Sequence, residues 1–401
     1  MHDTPAFQIH LRPNNPDFLD LPWHLPVEAW AGQCDRIEEV PRGLSRHPVV
    51  FINYDGILYA VKGMPRDNAR LEYELLVKIE DQHLPAVGAT GYVITHGRRG
   101  SGSALITRFL DHSIPYRSLF LGSSLIRYRE HLLDGIAGLL VQLHLAGVFW
   151  GDCSLSNTLF RRDAGALRAY LVDAETAEIH TGPLSPALRH HDMEIMEENL
   201  TGELADIETL GTFPDSILFA EISPYIRLQY QKLWEEITHE ETIHPNEHYR
   251  IHERIRSLNA LGFSVGEVKL IGSDDGEQLR LTVVVSDRNF HRDRLFQLTG
   301  VEAEELQARL IMNEIIEIKA TLSQMNNRST PLSAAAYYWL ENIYKPTIFL
   351  LQTLIDCLGE AVELYCQVLE HKWYLSEQAQ HDVGHHTAAT DFLRRFGNPA
   401  T

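Results

Sequence analysis

The stretch LHLAGVFWGDCSLSNTLF, residues 143–160, and the strand AYLVDAE that follows it at 169–175 decide how this chain is read. Apolar residues at helical spacing over 125–146 predict a helix that stops at Gly147, where glycine can supply a left-handed cap. Beyond it Asp152 opens a loop, Asn157 follows five residues later, and the apolar run 169–172 presents Asp173 at its end. Each of the three is a common turn or strand-end residue when taken alone. Together, with a helix before them and a strand between, they bring oxygen-bearing side chains to one loop and one strand end.

That spacing resembles a kinase catalytic loop and metal strand, in which an Asp precedes an Asn by five residues and a second Asp ends the next strand. The residue types suit the chemistry. Phosphoryl transfer needs a carboxylate to accept the proton of an attacking hydroxyl, and hard oxygen ligands for Mg²⁺. Asp152 is expected to be the base, with Asn157 and Asp173 holding the metal that bridges the phosphates of ATP.

Upstream, Leu58-Tyr59-Ala60-Val61-Lys62 resembles the strand whose lysine pairs with nucleotide phosphates and with a glutamate on the next helix. The helix expected over 66–81 offers Glu72 and Glu74. Glu72 shares a face with Leu75, Leu76 and Ile79 and points inward, whereas Glu74 shares its face with Lys78 and solvent. A carboxylate on an apolar face is costly without a partner, so Glu72 is the expected mate of Lys62. The phosphate loop is assigned to 41–47, where Gly43 is the only glycine and Arg42 and Arg46 add local positive charge.

Residues 36–215 resemble the protein-kinase-like superfamily, and within it the bacterial lipopolysaccharide-kinase (Kdo kinase) type, whose loop also carries Gly-Asp, here Gly151-Asp152. The resemblance implies ATP and Mg as cofactors, a hydroxyl-bearing acceptor (a sugar, a small molecule or a protein), and a bilobal α+β fold. Two positions depart from the kinase pattern. Trp150 stands where protein kinases have His, so support for the loop backbone must come from elsewhere, and Asp173-Ala174-Glu175 replaces Asp-Phe-Gly. With the single glycine of the phosphate loop, Trp150 favours the alternative of a catalytically weak, pseudokinase-like module that binds nucleotide or a partner. The remainder of the chain resembles an uncharacterised bacterial C-terminal domain through 290–292, 307–310 and 371–377; there Trp373 and Tyr374 are expected to pack in a core.

The expected organisation is an irregular, proline-rich arm over 1–30, a small mixed β lobe over 31–110, a helical lobe over 111–223, and an α-rich domain with one β-hairpin over 224–401. The acidic helix 193–206 reads as a solvated face, with Asp192 capping its first turn. A net charge of −20 opposes binding to nucleic acid or anionic lipid. Four scattered cysteines fit reduced thiols, and no apolar run is long enough to span a bilayer, so a cytoplasmic protein without membrane insertion is expected.

Overall fold

The computed structural model describes residues 6–40, 46–65, 68–97, 100–121, 129–210, 219–244, 246–272, 278–358 and 360–397. The chain forms two compact units, one of residues 1–161 with 169–234 and one of residues 162–168 with 235–401.

The first unit begins with a sheet. Strands β1 (Ala6–Leu11), β2 (Ile37–Glu38), β3 (Val49–Tyr54), β4 (Ile57–Pro65), β5 (Ala89–Gly97) and β6 (Gly100–Arg108) join in the order β1-β5-β6-β4-β3-β2, with helix α1 (Asn68–Asp81) between β4 and β5. The Asp55-Gly56 turn closes β3 on β4 with Val49 opposite Lys62, so the strand that carries the lysine is held from both sides by β3 and β6.

The proline-rich arm is not irregular throughout. Ala6 to Leu11 hold no proline, and β1 pairs antiparallel with β5 from Ala6↔His96 to Leu11↔Gly91. Past Pro13 the prolines do forbid a long regular element, yet the aromatics between them are buried: Phe18, Trp23 and Trp30 pack on Ile52, Tyr59, Val61 and Ile106. Both indoles are satisfied, Trp23 Nε1 donating to Phe18 O (2.7 Å) and Trp30 Nε1 to Leu25 O (3.2 Å). The arm therefore completes the core of the sheet instead of lying on its surface.

Helices follow the sheet. After β7 (Ile114–Pro115) and α2 (Tyr116–Leu121), helix α3 (Arg129–Leu145) is buried along much of its length, from Leu132 through Leu143. It ends at Gly147, whose φ of +82° is the expected left-handed cap. The order continues β8 (Val148–Phe149), β9 (Thr158–Asp163), β10 (Ala166–Leu171), β11 (Glu178–Ile179), α4 (Pro186–Leu210) and α5 (Phe219–Thr238), with β10-β9-β7 and β11-β8 as small sheets.

The second unit adds β12 (Glu241–Ile243) and α6 (His248–Ala260), then a hairpin of β13 (Ser264–Gly272) and β14 (Leu279–Asp287), with β12 pairing on the far side of β14. Helices α7 (Phe290–Thr299), α8 (Glu305–Met325), α9 (Leu332–Trp339), α10 (Lys345–Leu358), α11 (Ala361–Ala379) and α12 (His385–Phe396) complete it, with a π-helical turn over Leu340–Tyr344 between α9 and α10. Trp339 and Tyr365 anchor one core, and Leu351, Val368 and Phe392 a second. Trp373 and Tyr374 do not pack as expected: they are 66% and 47% exposed, because α11 turns Leu364, Tyr365 and Val368 inward and leaves these two on its open side. Among the described residues, no helix is long and apolar enough to cross a membrane.

Candidate active site

Lys62 and Glu72 meet where β4 and α1 face each other. Lys62 Nζ donates to Glu72 Oε2 at 3.0 Å and, from the other side, to Asp173 Oδ2 at 2.6 Å. Glu72 is 1% exposed and also accepts the Ala174 N–H (3.3 Å), whereas Glu74 is exposed and pairs with Arg70. With all three groups ionised, the triad carries one surplus negative charge. Burial, helped by the Asp173 carboxylate, pushes Glu72 up to about 7 against the pull of Lys62. Burial also draws the Lys62 ammonium down, but its two carboxylate partners outweigh this and leave it above the ordinary lysine value.

Asp152 is held by two amides. Asn157 Nδ2 donates to its Oδ2 (3.0 Å) and Asn199 Nδ2 to its Oδ1 (2.9 Å), so each carboxylate oxygen keeps a lone pair for another donor. The preceding Gly151 has φ +74°, and a Cβ there would lie 2.9 Å from Thr176 O; the Gly-Asp pair is thus a steric requirement of the loop.

Asp192 supplies the backbone support that a His gives in protein kinases. It is fully buried in α4 and accepts the Trp150 N–H (2.8 Å), the Gly151 N–H (2.9 Å) and His144 Nε2–H (3.0 Å). Because a carboxylate only accepts, His144 carries a proton on Nε2, and its Nδ1 lies within hydrogen-bond distance of the Tyr230 hydroxyl (2.8 Å). Glu203, a helical turn beyond Asn199, accepts the Leu155 and Ser156 N–H groups (2.7 and 2.9 Å). The acidic helix is therefore not simply a solvated face: its Asp192, Asn199 and Glu203 hold the loop. Trp150 contributes too, its Nε1 donating to Asp173 O at 3.0 Å and tying loop to strand end.

A cavity of about 610 Å³ opens among these groups, lined by Arg46, His47, Glu72, Asp152, Asn157, Asp173, Glu175, Asn199 and Glu203, with Ser154, Ser156 and Thr176. His47 and Asn68 both reach Glu175, at 3.2 and 2.9 Å. Arg46 stands 3.9 Å from Asp152. Gly43 and Arg42 lie outside the described residues.

Among the described residues, no three His, Cys, Asp or Glu side chains gather in a metal-binding group. That donor set still suits Mg²⁺, which keeps several waters and takes one or two protein oxygens beside phosphate oxygens. Asn157 spends its Nδ2 on Asp152, leaving Oδ1 as the atom that could ligate a cation, and Asp173 presents a carboxylate.

The comparisons bear on the same residues. Residues 57–210 match the lipopolysaccharide kinase (Kdo/WaaP) family. This stretch holds Lys62, Glu72, Asp152, Asn157 and Asp173, and with the sheet-then-helices order it supports the kinase-like α+β fold. Residues 232–396 match a domain of unknown function, DUF4032. Among solved structures, one of WaaP in complex with acyl carrier protein aligns at 16% identity and a TM-score of 0.38, covering 63% of this chain and 98% of that one. No curated protein matches the chain.

Proposed function

We propose that the lipopolysaccharide-kinase-like unit transfers the γ-phosphate of ATP to a hydroxyl, with Asp152 as base. The observation that carries this reading is the convergence on one cavity of Glu72 and Asp173, which hold Lys62 between them, and the amide-clamped Asp152. Lys62, fixed by Glu72, offers its ammonium to the nucleotide phosphates, and Arg46, which lines the cavity, would add positive charge beside them. Asn157 and Asp173 would hold Mg²⁺, which when bound offsets the charge spreading over the transferred group. Asp152 orients the acceptor and takes its hydroxyl proton as the new O–P bond forms; the bond from Pγ to the bridging oxygen breaks and ADP leaves.

Around Asp152 the lining is Ser154, Ser156, Asn199 and Glu203, and Leu71 is the one apolar residue among those described. Such a wall supports a polar, hydroxyl-rich acceptor, neutral or cationic, over an anionic one. Cys34, Cys153 and Cys366 are free thiols, which supports work in the reducing, ATP-rich cytoplasm. The test is ATP consumption by the purified chain with Mg²⁺ and a panel of sugar, aminosugar and hydroxyl-bearing peptide acceptors, run beside a Mg·ATP thermal shift. Stabilisation with acceptor-dependent consumption is expected. Stabilisation without consumption on any acceptor would favour a module that binds nucleotide and does no chemistry.

A further inference from the structure

The β9–β10 hairpin joins two residues of the proposed centre. Asn157 immediately precedes β9, Asp173 lies just past β10, and the Val172 N–H donates to Asn157 O at 3.0 Å. The chain leaves the first unit after Arg161 and rejoins it at Ala169, so the hairpin tip, 162–168, is part of the second unit.

There the tip is heavily bonded. Asp163, 4% exposed, accepts the backbone N–H groups of Leu306 (3.1 Å) and Gln307 (2.8 Å) and so caps the first turn of α8. Gln307 Nε2 donates to Arg162 O (3.1 Å) and to Glu363 Oε2 (2.9 Å), and that same oxygen accepts the Ala164 N–H (2.9 Å). Arg168 reaches Glu304 and Asn289, each at 3.0 Å. A two-residue turn with Ala164 and Gly165 both at positive φ closes such a hairpin without help, so none of these bonds is needed to make the turn. The sheet it belongs to is nevertheless small, its third strand β7 being only two residues long, so the β9–β10 pairing has little else to hold it.

We propose that the DUF4032-type unit braces the phosphotransfer centre: by fixing the hairpin tip, it keeps β9 paired on β10 and thereby holds the spacing of Asn157 and Asp173. This rests on the phosphotransfer reading for its consequence, though not for its mechanics. Asp163, Gln307 and Glu363 are positioning residues in this account, since none of them lines the cavity.

The test uses the full chain and compares wild type with Gln307→Ala, Asp163→Ala and Asp163→Asn, taking Trp373→Ala on the exposed side of α11 as control. Amide hydrogen exchange is followed in peptides covering 157–160 and 171–173, and in β3 and β4. Loss of a buried hydrogen bond should raise opening at the two hairpin ends about tenfold, with β3, β4 and the control unchanged. Turnover should fall about tenfold while KM for ATP moves less than about twofold, and Asp163→Asn, which keeps one accepting oxygen, should fall between wild type and Asp163→Ala. Unchanged exchange at 157–160 and 171–173 in either alanine variant would overturn the brace, even where the second unit has lost its fold. Raised exchange with unchanged turnover would overturn it equally. Should the wild type consume no ATP, the phosphotransfer reading fails by itself, and the exchange data still decide whether the brace exists.

Discussion

Replacing Asp192 by Asn keeps the shape of the side chain and removes one acceptor from a fully buried site. Oδ2 serves both the Trp150 N–H and His144 Nε2–H, and Oδ1 serves the Gly151 N–H. An asparagine can satisfy one side only; its NH₂ then confronts a donor, leaving a buried N–H without a partner at a cost of about 1–3 kcal/mol. The bonds that survive lose their charge assistance, about another 1 kcal/mol, so a total of about 2–4 kcal/mol is expected. For a unit of this size that lowers Tm by about 4–16 °C. Because Gly151 precedes Asp152 directly, the base shifts with its backbone, and a misplacement of about 1 Å can cost about 100-fold in turnover. Thermal unfolding together with acceptor-dependent ATP consumption measures both. An Asn variant that melts within 1–2 °C of wild type (roughly the effect of half a kcal/mol) and turns over at the wild-type rate would refute the claim that Asp192 supports the loop.

Other perturbations follow from the same contacts. Lys62→Met leaves Glu72 and Asp173 facing each other without their cation, and should abolish the Mg·ATP thermal shift; calorimetric titration with ATP would expose any retained affinity. Glu72 sits at about 7 in the folded chain against an ordinary 4.5, so its contribution to stability is fully present below about 4.5 and is lost as pH rises through about 7. Glu72→Gln mimics the protonated form, so the difference in Tm between variant and wild type should move in the variant's favour from pH 5 to pH 8; a difference that stays flat would count against the raised value. Trp30→Ala should cost about 3–5 kcal/mol by chemical denaturation, since the indole is fully buried under the sheet; a cost under 1 kcal/mol would mean that the arm is merely laid on the surface.

Much of the site was legible because its residues sit at fixed sequence offsets within or beside regular elements. The step from Asp152 to Asn157 and the strand leading to Asp173 mark residues that the fold brings to one cavity, and helical phase separated the buried Glu72 from the exposed Glu74. From the sequence Asp192 has only a capping role, and Asn199 and Glu203 have none, since a run of acidic residues looks like a solvated face. In the structure α4 begins at Pro186, so Asp192 lies inside the helix and caps nothing. Their signal was present all the same: spacings of seven and four place them on one side of α4, close to buried Met196 and Leu200. The strand β1 and the buried aromatics after it were obscured by prolines, which forbid regular structure but not burial. The engagement of Asp163 with α8 had no local signature, as its partners lie more than 140 residues away.

The most direct test of the central claim is Asp152→Asn, measured for turnover and for nucleotide binding in one preparation. The amide oxygen can keep only one of the two Nδ2 donors, but Asn157 and Asn199 retain their second bonds, to Asp152 O and Cys153 O. The amide cannot accept the acceptor's proton, so turnover should fall by about two to four orders of magnitude while the Mg·ATP thermal shift persists. Turnover within a factor of about three of wild type would contradict the account, because a general base is worth far more than that.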